Sequence, residues 1–373
     1  MDDELKYTIA LISIKGIGPI IARHLIDAFG SAKATFEADS STLISIPRIG
    51  KELIEQRNNQ ALIEKAEQEI EFMNSHHIRP LIYGQEGYPK RLIDCPDAPT
   101  LLFCLGNADL NSKHIVSIVG TRSCTQYGRD MVESFVSELK IAIPDVIIVS
   151  GLALGIDVTS HKSALENGAS TIGVVAHGLD RIYPPTHRNI AAQMIANGGG
   201  LLTEYTSGTT PERGNFLARN RIIAGLADAT IVAESRDKGG SLVTASIALD
   251  YNREVFAFPG RSKDDRSKGC NRLIRLNRAG LITCAQDFLE AMNWDSTALR
   301  QNPIQHSINF EEDNISQLGR QIIDALQQKG DLRLSQLTEI LPNADRAGLM
   351  EELLDLEISN KIISCPGGTY QLK

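Results

Sequence analysis

The sequence predicts an α/β protein with a doubly wound parallel sheet at its core. Short apolar, β-branched segments recur between residues 115 and 283, and segments with helical spacing of apolar residues separate them. Strands that are apolar throughout and alternate with helices are typical of a parallel sheet covered on both faces. The predicted strands are residues 115–119, 146–149, 171–176, 201–203, 230–233, 255–258 and 281–283, and the predicted helices are residues 130–140, 158–166, 190–196, 216–224, 242–250 and 271–278.

Length and composition are those of a multidomain globular protein. The 373 residues suffice for two or three domains, and 42% hydrophobic and 23% charged residues are ordinary values. There is no N-terminal signal stretch and no apolar run long enough to span a bilayer, so we expect a cytoplasmic protein without a membrane span. The six cysteines lie far apart without a CxxC pair, which favours reduced thiols over disulfides, and we expect no metal site.

Charge is unevenly distributed along the chain. The formal net charge is −8, which by itself disfavours a nucleic-acid partner. Residues 111–294, however, hold 20 Lys and Arg against 18 Asp and Glu, whereas the remainder holds 18 against 28. A locally basic face on an acidic protein is compatible with a polyanionic ligand. Salt screens the distant charges of the protein, so the charges near the contact determine the attraction.

Residues 1–75 are predicted to form a helical domain. Apolar residues at helical spacing surround the turn Gly16-Ile17-Gly18, and a weaker copy surrounds Ile49-Gly50. Helix, tight apolar turn and helix is the pattern of tandem helix-hairpin-helix or SAM-like bundles, whose turn amides can hold a DNA phosphate. The acidity of the segment favours contact with protein instead. Residues 76–112 follow as a proline-containing connector, with a strand predicted at residues 80–83.

Residues 294–314 are predicted to be a polar linker, and residues 315–373 a winged-helix-like domain. Three short helical patterns precede two strand-like stretches that flank Pro366-Gly367-Gly368, as in a hairpin. The third helix carries Glu351, Glu352, Asp355 and Glu357, which is the wrong sign for a DNA major groove. We therefore expect this domain to contact protein or to regulate rather than to read DNA.

Residues 113–293 form the predicted parallel-sheet domain, whose ligand should lie beyond the carboxyl ends of the strands. Glycine-rich loops follow several strands: Gly120-Thr121-Arg122 follows the first, and Gly239-Gly240-Ser241 with Thr244 follows the fifth. Glycine lets the backbone approach a ligand, and amides at helix starts bind anionic oxygens. Because the sequence has neither GxGxxG nor GxxxxGKS/T, we expect no dinucleotide, ATP or other cofactor.

The triplet Arg219-Asn220-Arg221 places three polar side chains near the N-terminal half of the predicted helix 216–224. Arginine forks and helix N-termini both hold phosphate, so the triplet predicts a phosphate clamp. Alternatively, Arg219 and Arg221 pair with nearby carboxylates on a solvated surface. Glu204 and Glu234 follow two of the strands and are predicted to hold the two arginines in place.

Several further blocks occur in a fixed order along the α/β domain. They are Ile118-Val119-Gly120-Thr121-Arg122, Ser150-Gly151-Leu152-Ala153-Leu154-Gly155-Ile156-Asp157, Tyr183-Pro184, Phe216 with Arg219-Asn220-Arg221, Gly240-Ser241-Leu242, Pro259-Gly260 and Gly269-Cys270-Asn271. Together they closely resemble the DNA-processing protein A family (DprA, also called Smf). The resemblance covers the whole α/β domain, implies a Rossmann-like fold for it, and fits both flanking domains.

The resemblance implies a binding protein rather than an enzyme, with no catalytic residues. Such proteins bind incoming single-stranded DNA during natural transformation, protect it, load the RecA recombinase onto it and act as homodimers. The family's DNA-contacting block corresponds to Gly120, Thr121 and Arg122. Where the family has a lysine after Tyr-Pro, this sequence has Pro185, and we take Arg188 as the substitute.

Two other positions bear on the ligand. Leu154 stands where the family usually has an arginine, which removes one positive charge. A base-stacking aromatic is also expected near the site, and Tyr183 and Phe216 are the candidates.

The predicted nucleic-acid site thus combines glycine-rich loops with cations. Its members are Gly120, Thr121, Arg122, Arg188, Arg219, Asn220, Arg221, Gly239, Gly240, Ser241 and Thr244, with Glu204 and Glu234 in support. One alternative is an enzyme that hydrolyses N-glycosidic bonds of nucleotides, with Glu204 and Glu234 as acid and base. Another is a protein-bridging scaffold whose pocket is empty. His161 is expected to make a structural hydrogen bond, and His177 has no assigned role.

Overall fold

The chain begins with a bundle of six helices, and the structure, a computed structural model, describes residues 2–44, 51–294, 316–342, 344–365 and 367–373. The helices of this N-terminal bundle are α1 (Asp2–Ser13), α2 (Pro19–Phe29), α3 (Ala32–Glu37), α4 (Ser40–Ile44), α5 (Lys51–Arg57) and α6 (Gln60–Ser75). Gly16 adopts a φ of 93° in the turn before α2, a conformation that favours glycine. The first predicted hairpin is therefore present, whereas residues 45–50 of the second copy lie outside the described residues.

A nine-stranded sheet forms the centre of the part of the chain that the structure describes. Its strands are β1 (Arg79–Ile82), β2 (Leu101–Gly106), β3 (Ile115–Val119), β4 (Ile147–Ser150), β5 (Ser170–Val174), β6 (Gly200–Thr203), β7 (Ala229–Val232), β8 (Glu254–Ala257) and β9 (Gly280–Leu281). They lie in the order β1-β2-β6-β5-β4-β3-β7-β8-β9, and the seven strands from β6 to β9 are parallel. The predicted parallel sheet is confirmed, within one to two residues at most strand ends.

The order of the strands reverses at β3. The chain runs outward through β4, β5 and β6, and then returns to place β7 on the other side of β3. In doubly wound sheets, the loops that follow such a pair of strands diverge and leave a crevice at the carboxyl edge. The topology therefore puts a ligand site where β3 and β7 end.

Residues 76–112, predicted to be a connector, extend the sheet. Strand β2 pairs antiparallel with β6, and β1 pairs antiparallel with β2. The strand predicted at residues 80–83 is confirmed as β1, whereas β2 was not predicted. Its six residues are almost entirely apolar and follow closely after Pro96 and Pro99, so neither alternation nor helical spacing identifies them.

Helices cover both faces of the sheet. They are α7 (Lys90–Ile93), α8 (Gln126–Ala142), α9 (Ile156–Glu166), α10 (Arg188–Ala196), α11 (Arg213–Leu226), α12 (Gly240–Asp250), α13 (Lys268–Arg275) and α14 (Ala285–Met292). Two apolar clusters lie on opposite faces, one with Val119 and Val232 and the other with Ile118 and Ile231. This alternation along β3 and β7 shows that both faces of the strands are buried.

The C-terminal residues form a small separate core. Helices α15 (Gln317–Lys329), α16 (Leu334–Ile340) and α17 (Arg346–Ile358) pack with strands β10 (Leu332–Arg333), β11 (Ile362–Cys365) and β12 (Thr369–Leu372). The predicted three helices and hairpin are present, with β10 as an additional strand; residues 295–315 and Pro366 lie outside the described residues. Arg333 donates to Asp228, which also pairs with Arg91 on α7, so this domain contacts the amino ends of the parallel strands.

Of the helices that the structure describes, none combines the length and apolar character that crossing a bilayer requires. The described residues likewise contain no group of three or more His, Cys, Asp or Glu side chains arranged to hold a metal ion.

Candidate nucleic-acid interface

A pocket of about 560 Å³ opens at the carboxyl ends of β3 and β7. The loops after these two strands form two of its walls, and α11 and the start of α12 form the others. Nine of the predicted site residues line it: Gly120, Thr121, Arg122, Arg219, Asn220, Gly239, Gly240, Ser241 and Thr244. Residues more than a hundred positions apart in the sequence therefore meet at the switch point of the sheet.

The loop after β3 is rigidly held by its backbone. Thr121 donates its amide to the carbonyl of Glu234 at 2.7 Å and accepts from the amide of Ile156 at 3.2 Å. A side chain on Gly120 would come within 2.4 Å of Ile156, so only glycine fits there. These contacts fix the backbone from which Arg122 projects into solvent.

The start of α12 offers backbone amides to the pocket. Gly239 is the N-cap residue and carries no side chain to cap the helix, so the first amides face outward. The hydroxyls of this segment are used internally, since Ser241 donates to Ser235 at 2.9 Å and Thr244 bonds the carbonyl of Gly240 at 3.4 Å. At the N-terminus of α12, the groups available to bind an anion are therefore the backbone amides and not the hydroxyls.

Four exposed cations surround the opening of the pocket. They are Arg122, Arg213, Arg236 and Lys238. Among the described residues none of the four forms an ion pair, so their charge is available to a ligand. Arg213, Arg236 and Lys238 were not predicted. The signal that could have found them is their position after β6 and β7, at the start of α11 and in the loop before α12, at the same edge as Arg122.

Arg219 lies beneath the pocket rather than in its opening. Its side chain is only 3% exposed, and Nη1 donates to the carbonyls of Gly151, at 2.7 Å, and Val174. Burial lowers the pKa of Arg219 to about 10, although Asp157 nearby opposes that shift. Burial likewise raises the pKa of Asp157, against the influence of Arg219. Helix α11 begins at Arg213, so the triplet lies in the middle of the helix. The prediction that it lies near the N-terminal half is therefore wrong.

Arg221 points to the other side of α11. It makes a bidentate pair with Glu204, at 2.8 and 2.7 Å, and lies 3.5 Å from Asp97. It faces a different cavity, between α11 and the Gly16-Ile17-Gly18 turn. The prediction that Arg221 helps to line the phosphate site is corrected by this geometry, because consecutive helical positions are rotated by about 100°. The alternative interpretation, in which the arginine pairs with a nearby carboxylate, holds for Arg221, but the pair is largely buried rather than on a solvated surface.

Glu204 and Glu234 differ in what they contact. Glu204 holds Arg221, as predicted. Glu234 does not hold Arg219; it accepts from the amide and hydroxyl of Thr125, at 2.8 and 2.7 Å, where α8 begins. Arg188 also lies apart, exposed at the first position of α10 and outside the residues that line the pocket.

Two aromatic rings, those of Phe216 and Tyr183, lie beside the cations, and we call them the aromatic ladder. The guanidinium of Arg122 lies 5.1 Å from the ring centroid of Phe216, and the ring of Tyr183 lies 5.8 Å from that of Phe216. Tyr183 is 44% exposed, which leaves an accessible aromatic face. Phe216 is half-buried. Accessible aromatic faces next to cations are an arrangement that can stack nucleobases while the cations hold the phosphates.

Both histidines have structural roles. His161 contacts the hydroxyl of Thr171 at 2.7 Å, as expected, and burial lowers its pKa to about 3. His177 contacts the carbonyl of Gly178 at 2.9 Å, and its Nε2 accepts from the amide of Tyr183 at 3.3 Å. Burial lowers the pKa of His177, so the neutral ring holds the backbone of Tyr183 in place.

The carboxylates do not suit the alternative of a glycoside hydrolase. Glu204 is engaged with Arg221 outside the pocket, and Glu234 with Thr125. Of the described acidic residues, Asp157 alone lines the pocket. A pair of carboxylates on either side of a scissile bond, which that chemistry uses, is not formed by these residues.

Comparisons with known proteins agree with this architecture. Residues 79–293 match the family model for DNA recombination-mediator protein A, and residues 8–56 match a SAM-like helix-hairpin-helix tandem. The chain is 36% identical to Protein Smf of Synechocystis sp., over 78% of this chain and 73% of the relative. It is 44% identical to DNA processing protein DprA of Streptococcus pneumoniae, over 54% of this chain and 70% of the relative.

Two solved structures are also similar. The X-ray structure of DNA processing protein A from Streptococcus pneumoniae superposes with a TM-score of 0.60 and 32% identity, over 76% of this chain and 97% of that chain. A structure that concerns the single-stranded DNA binding mode of DNA processing protein A from Helicobacter pylori superposes with a TM-score of 0.51 and 34% identity, over 57% of this chain and 94% of that chain.

Proposed function

The chain belongs to the DNA recombination-mediator protein A family, and on that premise we propose that it binds single-stranded DNA in the pocket at the ends of β3 and β7. The observation that carries the proposal is that four cations without an ion-pair partner among the described residues lie beside the aromatic rings of Phe216 and Tyr183. The similarity to a relative whose structure concerns single-stranded DNA binding supports it.

The geometry suggests how the strand is held. Arg122, Arg213, Arg236 and Lys238 neutralise phosphates, and the amides of Gly240 and Ser241 at the start of α12 donate hydrogen bonds to another phosphate. Bases stack on Tyr183 and Phe216. Every base has a π-face, so such contacts give little sequence preference, and phosphate contacts make the affinity fall steeply with salt.

Duplex DNA is the poorer ligand on this account. The bases of a duplex are already stacked and paired, so they cannot reach an aromatic ladder without being unstacked, at a cost of a few kcal/mol per step (order of magnitude). The cations alone would give only weak, non-specific affinity for duplex.

The finer function we propose is that the protein protects incoming single strands during natural transformation and loads the RecA recombinase onto them. A homodimer would place two pockets on one strand, so that avidity exceeds the affinity of either pocket. Light scattering at several protein concentrations tests the dimer. RecA filament formation on strands already covered by single-strand-binding protein, with and without this protein, tests the loading.

The decisive experiment is fluorescence anisotropy with a labelled oligothymidine and a duplex of equal length, across a salt series. We expect tighter binding to the single strand and a logarithmic plot of affinity against salt whose slope corresponds to several phosphates. Equal affinity for both ligands, or no binding at low salt, would refute the proposal and favour a protein-bridging role.

A further inference from the structure

The loop between β6 and α11, residues 204–212, is attached to the N-terminal bundle. Glu69 on α6 accepts the amide of Ser207 with both carboxylate oxygens, at 3.0 Å each, and also bonds the hydroxyl of Ser207. The carboxylate is buried, with Glu69 only 6% exposed. In the described residues it has no cationic partner, so the loop supplies the hydrogen bonds that compensate its burial.

A second loop, which follows β5, is attached to the first. Gly208 donates its amide to Asp180 at 3.0 Å, and Gly178 donates its amide to Thr209 at 3.2 Å. A side chain on Gly178 would come within 2.5 Å of the carbonyl of Thr206, so the two backbones are in close contact. The loops therefore cannot move independently.

Each of these loops leads to one ring of the aromatic ladder. The loop 204–212 runs directly into α11, where Phe216 lies in the first turn. The loop after β5 carries Tyr183, whose amide is bound by His177. The separation of the two rings, 5.8 Å between centroids, thus depends on how the two loops are held together.

We propose that Glu69 is a positioning residue for nucleic-acid binding, through which the N-terminal bundle fixes the loops that carry Tyr183 and Phe216. A contact that served stability alone would not need a buried carboxylate without a cationic partner, because apolar packing at such a site is commonly as stable or more so. A carboxylate, however, accepts an N–H and an O–H together and holds both in a defined geometry. The inference rests on the proposed function and assigns the N-terminal bundle a part in it.

Electrostatics and positioning predict opposite signs for removing this group. Glu69→Ala deletes a negative charge from a protein that binds a polyanion, so an effect of the field alone would leave the affinity unchanged or raise it. If Glu69 positions the ladder, the affinity for single-stranded DNA falls instead. The loss of good stacking for one base corresponds to about a tenfold weaker affinity.

The test measures binding of a single-stranded oligonucleotide that contains 2-aminopurine, to wild type, Glu69→Ala and the matched control Glu71→Ala. Glu71 lies on the same helix and is exposed, so it reports the loss of one charge without the loop contact. We expect Glu69→Ala to weaken binding about tenfold with an unchanged salt slope, a smaller change in 2-aminopurine fluorescence, and no further loss when Phe216→Ala is added. Ser207→Ala, which removes only the hydroxyl bond, should give a smaller effect of the same kind.

Equal binding by Glu69→Ala and Glu71→Ala, or additive effects of Glu69→Ala and Phe216→Ala, would overturn the inference. Hydrogen exchange of the DNA-free protein separates this failure from failure of the proposed function. Faster exchange in residues 177–184 and 204–212 of Glu69→Ala, but not in residues 235–240, supports the attachment even if wild type binds no DNA. Unchanged exchange in both loops refutes it.

Discussion

Replacement of Arg122 by alanine is the sharpest test of the pocket. The side chain is exposed, forms no ion pair among the described residues and contacts the face of Phe216. Its loss should cost the folded protein no more than the cation–π contact, about 0.5–1 kcal/mol. A charge-assisted hydrogen bond to phosphate contributes about 1.5–3 kcal/mol, so single-strand affinity should fall roughly 10- to 150-fold.

The salt dependence identifies the lost contact. One phosphate fewer on a single strand lowers the slope of log affinity against log salt by about 0.7. Anisotropy titrations of wild type, Arg122→Ala and Arg122→Lys provide both quantities. The lysine variant should keep the slope but not the full affinity, because its ammonium lacks the planar fork that binds phosphate in two places.

Arg320→Ala is the matched control for charge. Arg320 is exposed on α15 in the C-terminal domain, so its loss changes the net charge equally but removes no residue of the pocket. If Arg122→Ala and Arg320→Ala bind alike, or if Arg122→Ala weakens binding without changing the slope, Arg122 does not contact phosphate and the reasoning fails.

Three further predictions address the neighbouring groups. Phe216→Ala should weaken binding by about 1–3 kcal/mol with an unchanged salt slope, since stacking rather than charge is lost; anisotropy in the same salt series checks this. Glu204→Gln leaves the largely buried Arg221 with only the more distant carboxylate of Asp97 and should lower the free energy of unfolding by about 3 kcal/mol in urea denaturation, while single-strand affinity changes little. Burial lowers the pKa of His161 from 6.5 to about 3, so as the pH falls the unfolded chain binds a proton at this residue before the folded protein does. The free energy of unfolding should therefore decrease by up to about 1.4 kcal/mol per pH unit between about pH 6.5 and pH 3. Urea denaturation at a series of pH values should show a flatter dependence for His161→Gln.

The sequence predicts the location of the site because location depends on local patterns. Apolar, β-branched strands separated by helices indicate a parallel sheet, and the carboxyl ends of parallel strands share one edge. The glycine-rich loops around Gly120 and Gly239 could therefore be assigned to one pocket without coordinates. For Gly120 the structure shows a different reason for glycine than the approach of a ligand, since a side chain there would collide with Ile156.

The positions of the other cations in the pocket depend on the order of the strands in the sheet, which local sequence patterns do not determine. Arg213, Arg236 and Lys238 belong to no motif, and each resembles an ordinary charged residue in a loop. They approach Arg122 because β7 returns to pair with β3 rather than extending the far side of the sheet. The edge strand β2 escaped prediction for a related reason, as its apolar run is defined by its pairing with β6.

The triplet in α11 shows how far a single helix divides the roles of adjacent residues. Position 220 faces the pocket, whereas Arg219 reaches below it to the carbonyls of Gly151 and Val174, and Arg221 turns away to Glu204. Sequence places all three at one edge of the sheet, but the rotation of about 100° per residue decides which side each serves. Arg219 and Arg221 hold α11 against the sheet from two sides. That anchoring fixes where the helix presents Phe216, so the arginines act on the ligand through the helix they immobilise, and replacing either should disturb stability before it disturbs the salt slope of binding.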